Sequence, residues 1–392
     1  VNKRNLFLVL VVFLYGVPKL IFNVDGSPLG GFDANLTLFI NAIGTLFVLF
    51  VIVSRDKRAQ YFPKSKFYLI AIIYYLIALM SSFYSGLPLI SSYNAIVGGL
   101  FVFSASAIAK HVNKEGNIFD NYQWFLSFLL KFTIAGILIN ILFYYIYFGK
   151  SDFLKHGIGA DFSAALLLFV AISNMHIKNG FLPKFLFFLA LILSLRLNSF
   201  SSLLSVSVGY VVFLLYNKNF IRFSIVVLCS ILTITLFYTF LLDNSGSGLI
   251  INNKPANAYL TGSGRFDYYL TAFDVIKNFD FFKFIFGTGF MAERLLMDGF
   301  GLSWITDPHN SALLSFLGMG TMGFFLYLSF CIYPYIKVLY MKKSGLEAHW
   351  IFFHTTFIAY GFTSSYYLGR PTVILIFSLL LTSIITLKEQ QE

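Results

Sequence analysis

Cysteine is nearly absent from this chain: two residues, Cys229 and Cys331, lie inside apolar stretches and support neither a disulfide framework nor a metal site. Charge is scarce as well, with Asp, Glu, Lys and Arg at 11% of 392 residues, outside the usual range for a soluble domain. The sequence has no CxxC, no HExxH, no Gly-rich phosphate loop ending in Lys and Ser or Thr, and no paired-carboxylate spacing. ATP-driven and zinc-dependent chemistry therefore drop from the front rank. No internal repeat is found, which weighs against transporters built on duplicated halves.

What fills the chain is apolar, with 58% hydrophobic and 19% aromatic residues. Stretches of roughly 17 to 25 such residues are long enough to cross a hydrocarbon core of about 30 Å as helices. About twelve can be drawn, at 5–22, 36–53, 67–83, 88–109, 124–148, 160–176, 181–197, 199–216, 220–242, 310–334, 349–367 and 371–387. The expectation is an all-α, polytopic membrane protein in which residues 1–392 form a single transmembrane domain. The first run follows Lys3 and Arg4 without a small-residue cleavage site, and is read as a retained helix.

Orientation follows from loop charge, because short cytoplasmic loops hold an excess of Lys and Arg. Loops on one side carry Arg55, Lys57, Arg58, Lys110, Lys114, Lys178, Lys184, Lys218, Arg222, Lys337, Lys342 and Lys343, whereas the other side shows Asp25, Asp33, an uncharged Tyr84–Pro88 loop and a mixed set from Lys150 to Asp161. Both termini are expected in the cytoplasm, with the chain multi-pass in the membrane. The net charge of +11 then reports orientation and contact with anionic lipids, not nucleic-acid binding.

One polar stretch breaks the pattern. Asp243 to His309, between the ninth and tenth spans, is expected as a large outward-facing loop. It opens through Asn244-Ser-Gly-Ser-Gly248, and a helix is expected from the Thr261-Gly-Ser-Gly-Arg265 segment onward. There Tyr269, Leu270, Phe273, Ile276 and Lys277 recur near helical spacing, as in an amphipathic segment lying on a membrane surface. A turn follows at Phe286-Gly-Thr-Gly-Phe290. The loop closes on Trp304 and Asp307-Pro-His-Asn310, immediately before a span carrying Gly318, Gly320 and Gly323. Those glycines allow either close helix packing or a slot for a lipid tail.

With Gly264-Arg265, Gly287-Thr-Gly289, His309-Asn310 and Gly320-x-x-Gly323 in that order, the sequence resembles the O-antigen polymerase and ligase superfamily of bacterial envelope glycan assembly. Members often carry a Ser-Arg-small-small pattern ahead of the large loop. Here Asn198-Ser-Phe-Ser-Ser-Leu-Leu204 has Phe200 in the Arg position, and Arg196 stands four residues earlier. The resemblance implies glycosyl transfer from a glycan carried on undecaprenyl diphosphate at the periplasmic face of the bacterial inner membrane, which makes the outward loop a periplasmic loop, with membrane lipids around it, no cofactor, and a chain-length regulator protein as a candidate partner. A base must accept the acceptor hydroxyl's proton, a role suited to His309. Permanent cations must meet charge growing on the diphosphate, suiting Arg265 first, then Arg196 and Arg370, with Asn310 and Asp307 as further substrate-binding residues.

Each assignment has a plainer reading: His309 as a helix cap, and the arginines as interfacial residues snorkelling to lipid phosphate. Tyr268, Tyr269 and Trp304 are candidates for stacking on sugar rings. Lys131, in the middle of a span, is expected to face a partner or a cavity. His111, His156, His176, His349 and His354 carry no motif. Three functions remain open: a polymerase of lipopolysaccharide O-polysaccharide, favoured by the Ser-Phe-Ser-Ser variation; a ligase transferring glycan to the lipid A core; and a lipid-linked sugar transporter or flippase.

Overall fold

In a computed structural model, the described residues are 65–113, 117–148, 160–177, 180–196, 200–244, 250–251, 254–255, 265–292, 296, 310–341, 345–362, 368 and 373–386. They form α1 (Lys66–Ser81), α2 (Pro88–Asn113), α3 (Ile118–Phe148), α4 (Ala160–Ile177), α5 (Phe181–Arg196), α6 (Phe200–Tyr216) and α7 (Phe220–Asn244). Within the polar stretch come α8 (Arg265–Lys277) and α9 (Phe281–Phe286), followed by α10 (Ser311–Tyr340), α11 (Glu347–Gly361) and α12 (Val373–Thr386). Apart from one antiparallel pair, β1 (Ile250–Ile251) with β2 (Lys254–Pro255), the described structure is helical. Ten expected spans coincide with helices to within several residues; the spans at 5–22 and 36–53 lie outside the described residues.

Local chemistry explains where these helices begin. Ser65 accepts a hydrogen bond from the Phe67 amide at 3.3 Å to cap α1, and α2 starts on Pro88, whose fixed φ and missing N–H suit a first helical position. Among the described residues, Pro88–Ser106 and Ser311–Tyr340 are long and apolar enough to cross a membrane, and six shorter apolar helices accompany them. The outside of the bundle is apolar too. On α7 the exposed Ile221, Ile225, Leu228 and Leu232 recur every three or four residues, so the greasy stripe points away from the bundle. A membrane protein requires this distribution, which water would penalise.

α12 lies at the centre, with every described side chain from Ile374 to Thr386 buried. Its polar groups are tied to neighbours: Tyr68 donates to the Leu379 carbonyl at 3.1 Å, Ser383 donates to Tyr68 at 2.7 Å, and Trp350 donates to Thr382 at 3.2 Å. His354, wholly buried, packs edge-on against Phe67 with its Nε2 3.4 Å from the Thr382 hydroxyl. α6 and α11 run antiparallel at very short range. Gly209 permits this, because a Cβ there would overlap Thr356 and stand 2.9 Å from the Phe352 carbonyl.

One expectation changes here. Lys131 is exposed on α3, on the same face as the exposed Ile134 and Leu138, so its long stem must carry the ammonium toward a polar boundary. On α8 the buried residues are Ala272 and Val275, whereas Leu270 and Phe273 are more than half exposed. The helix exists where periodicity predicts it, with Leu270 and Phe273 on its outer side and the small residues against the bundle.

Candidate functional site

The polar stretch is fastened to the bundle by its glycine turn. Gly287 ends α9 at φ 75°, donating its amide to the Lys283 carbonyl at 2.7 Å. Thr288 then reaches the Leu317 carbonyl through both its amide and its hydroxyl at 3.0 Å, and the Gly289 amide reaches the Gly318 carbonyl at 2.9 Å. In a continuous helix those carbonyls would accept from residues four positions later. They are open to the turn because α10 breaks at Gly320, whose φ of 62° suits glycine.

No side chain fits between the two segments. A Cβ on Gly287 would overlap the Gly318–Met319 backbone, and one on Gly320 would overlap the Ile285 carbonyl and lie 2.6 Å from the Phe286 amide. Gly318 lies against the turn as well, since a Cβ there would stand 3.4 Å from the Gly289 carbonyl oxygen. Of the two uses open to these glycines, Gly318 and Gly320 serve close packing, and the space is filled by chain.

The far side of the turn is held by α1, α2 and the loop between them. Ser81 accepts from the Phe290 amide at 2.8 Å, Ser91 donates to the Phe290 carbonyl, and Ser85 and Ser91 share a hydrogen bond at 2.7 Å. Tyr84 donates to the Phe286 carbonyl at 2.5 Å, and partial burial pushes its phenol up to about 12. The Phe290 ring packs edge-on against Tyr74 and Tyr75, each at 6.2 Å. Sequence reasoning did not single out these serines. The signal in the sequence was the polar pairs Ser81-Ser82 and Ser91-Ser92 at the two span ends flanking an uncharged loop.

Asn310 opens α10. Its extended backbone and its side-chain oxygen, accepting from Ala312 at 2.9 Å and Leu313 at 3.1 Å, make it the N-cap, and the residue is buried. The plainer reading of His309 as that cap is thereby removed. α8 joins the same end: Ala272 and Val275 pack on Leu317 of α10, and Tyr269 donates to the Phe362 carbonyl at 2.5 Å. Gly361, the neighbour of Phe362, faces Ser311, whose Oγ would lie 3.3 Å from a Cβ placed there. Arg265, one turn before Tyr269, therefore starts α8 at the end of the bundle where Asn310 starts α10.

The backbone of α5 ends at Arg196 on this side also. α6, which begins four residues later, pairs its residue 209 with 356 and 213 with 349 of α11, so its start lies toward Gly361. Thus the helix ends bearing Arg196 and Arg265 share one end of the bundle with Asn310. His309, Asp307, Arg370, Trp304 and the side chains of Tyr268, Arg196 and Arg265 lie outside what is described. Tyr269, a candidate for sugar stacking, uses its hydroxyl to join α8 to α11. The described residues include no group of three or more His, Cys, Asp or Glu that could hold a metal.

Residues 185–328 match the family model of the O-antigen ligase. The match runs from within α5 into α10 and takes in Arg196, Arg265, the Gly287–Gly289 turn, His309 and Gly320. No curated protein matches the chain.

Proposed function

We propose that this chain, a member of the O-antigen polymerase and ligase superfamily through its match over residues 185–328, is a membrane glycosyltransferase that polymerises O-antigen repeat units on undecaprenyl diphosphate at the periplasmic face of the inner membrane. The observation that carries this reading is the shared location of the helix ends at Arg196, Arg265 and Asn310, with His309 adjacent to Asn310 in sequence. A phosphate-binding cation and a base are what glycosyl transfer from a lipid diphosphate demands.

In the proposed reaction an acceptor-sugar hydroxyl attacks the anomeric carbon of the donor glycan. His309 takes the hydroxyl proton as the new C–O bond forms, and the bond to the diphosphate breaks with its electron pair, releasing undecaprenyl diphosphate. Arg265 meets the growing negative charge with two parallel N–H donors, with Arg196 and Arg370 behind it. Asn310 and Asp307 hold the sugar hydroxyls. The glycine turn joins the polar stretch, which carries Arg265, Asp307 and His309, to α10.

The matched family's description favours a second reading, a ligase with the same donor and the lipid A core as acceptor. The glycan pattern of a deletion strain separates the two. A single repeat unit on the core identifies a polymerase; unattached polymer on undecaprenol identifies a ligase, and normal long chains on the core would exclude both.

A further inference from the structure

At the opposite end of the bundle a cavity of about 230 Å³ opens between four helix ends. It is lined by His176 of α4, Phe213 at the end of α6, Asn217 and Asn219 of the α6–α7 turn, Arg222 in the first turn of α7, and His349 in the first turn of α11. We propose that this cavity is a binding site for a single phosphate group, separate from the glycosyl-transfer site and independent of that assignment.

The lining is rich in donors. His349 is only 6% exposed, yet its Nδ1 has no hydrogen-bond partner among the described residues, an expense that burial of a polar atom normally avoids. Its ring is fixed by Phe213 at 5.1 Å and Tyr122 at 5.4 Å, with His176 at 6.4 Å. The imidazole lines the cavity, and in either neutral tautomer it carries one N–H donor. Asn219 spends its Oδ1 on the Arg222 amide at 3.3 Å, which leaves its NH₂ to donate. Arg222, exposed at the mouth, adds a permanently charged, forked donor.

The start of α11 strengthens the case. Its N-cap is Leu346, which makes no side-chain cap, so the first-turn amides of Ala348 and His349 have no capping oxygen from that residue. Glu347 is buried and accepts from the Gly345 amide at 2.9 Å, but it does not line the cavity. The volume is below the roughly 300–1,000 Å³ that enclose drug-sized ligands, which suits one headgroup and not a lipid-linked glycan. Lys218 flanks the same turn, and this is the end that loop charge assigns to the cytoplasm, so the phosphate comes either from an anionic lipid of that leaflet or from solution.

The test uses the full chain in a neutral detergent and follows its thermal unfolding midpoint at constant ionic strength. Sodium phosphate and dihexanoyl-phosphatidylglycerol are titrated separately, with dihexanoyl-phosphatidylcholine as the zwitterionic control. A saturable rise is expected, with half-saturation moved at least about tenfold higher in Arg222→Gln and His349→Gln, as loss of a hydrogen bond to a charged group implies. A rise with phosphatidylglycerol alone assigns the site to lipid headgroups, whereas a rise with both probes assigns it to the phosphate group itself. No saturable rise with either, or an unchanged half-saturation in the variants, overturns the proposal. Should His349→Gln fail to fold, Arg222→Gln, at the exposed mouth, decides the matter.

Discussion

Gly289 donates its amide hydrogen to the carbonyl of Gly318 at 2.9 Å, and through that bond a turn of the polar stretch completes the hydrogen bonding of a broken membrane helix. Each segment supplies what the other lacks. The break at Gly320 leaves carbonyls of α10 open, and the glycine turn brings amides close enough to use them. The polar stretch is thus anchored within 21 residues of Asn310, measured along the chain from Gly289.

Gly287 and Gly345 both have positive φ, 75° and 84°, but only Gly287 is crowded. Alanine at Gly345 meets nothing within 4 Å and should cost about 1 kcal/mol of backbone strain. Alanine at Gly287 adds an overlap with the Gly318–Met319 backbone and should cost at least about 2–4 kcal/mol, with loss of glycan polymerisation. Thermal unfolding of the two variants in detergent measures the difference; equal losses would refute the interlock.

Replacing His309 or Arg265 by Ala should leave the protein inserted but stop chain growth, giving cells that attach one repeat unit. Removing a general base typically lowers rate by about 10²–10⁴-fold, and removing a charge-stabilising donor by about 10²–10³-fold. Long chains persisting in both variants, seen on a lipopolysaccharide gel, would remove both residues from the site.

Asn310 offers a way to separate support from chemistry. Asn310→Ala loses the bonds to Ala312 and Leu313 and should destabilise by about 0.5–2 kcal/mol. Asn310→Asp keeps an oxygen for the cap but lacks the amide donor, so its unfolding midpoint should stay near wild type while polymerisation falls. If the Asp variant is fully active, Asn310 serves the helix alone.

Tyr84 predicts a pH window. Its phenol titrates near 12 in the folded chain and near 10 in the unfolded chain, so the folded state holds the proton longer. The associated stability is complete below pH 10 and is lost as pH rises from 10 toward 12. Tyr84→Phe should remove that portion of the alkaline decline while also losing the bond to Phe286. Alkaline unfolding curves that superimpose for wild type and variant would contradict this.

The helical spans were legible because hydrophobic run length is a local property, and ten runs reappear as helices near their expected bounds. Facing direction was less legible. Around Leu270 and Phe273 periodicity found the helix but not the small residues, Ala272 and Val275, that meet the bundle, since lipid or interface and protein core all accept apolar side chains. Lys131 misled for a related reason: a charge inside an apolar run signals a cost but does not reveal which way the side chain points. His349 was passed over because its interest arises from helix ends far apart in sequence.

By itself the sequence determined the class of molecule, the approximate limits of its apolar helices, and the polar stretch with its His, Arg and Gly motifs. These follow from composition, run length and local residue chemistry. Only the tertiary structure decided that Gly287 and Gly289 lock onto Gly318 and Gly320, that Asn310 caps α10, and that the helix ends at Arg196 and Arg265 share its end of the bundle. Those relationships depend on which carbonyls a helix break leaves open and which backbones can approach without a Cβ between them, and neither is encoded in hydropathy.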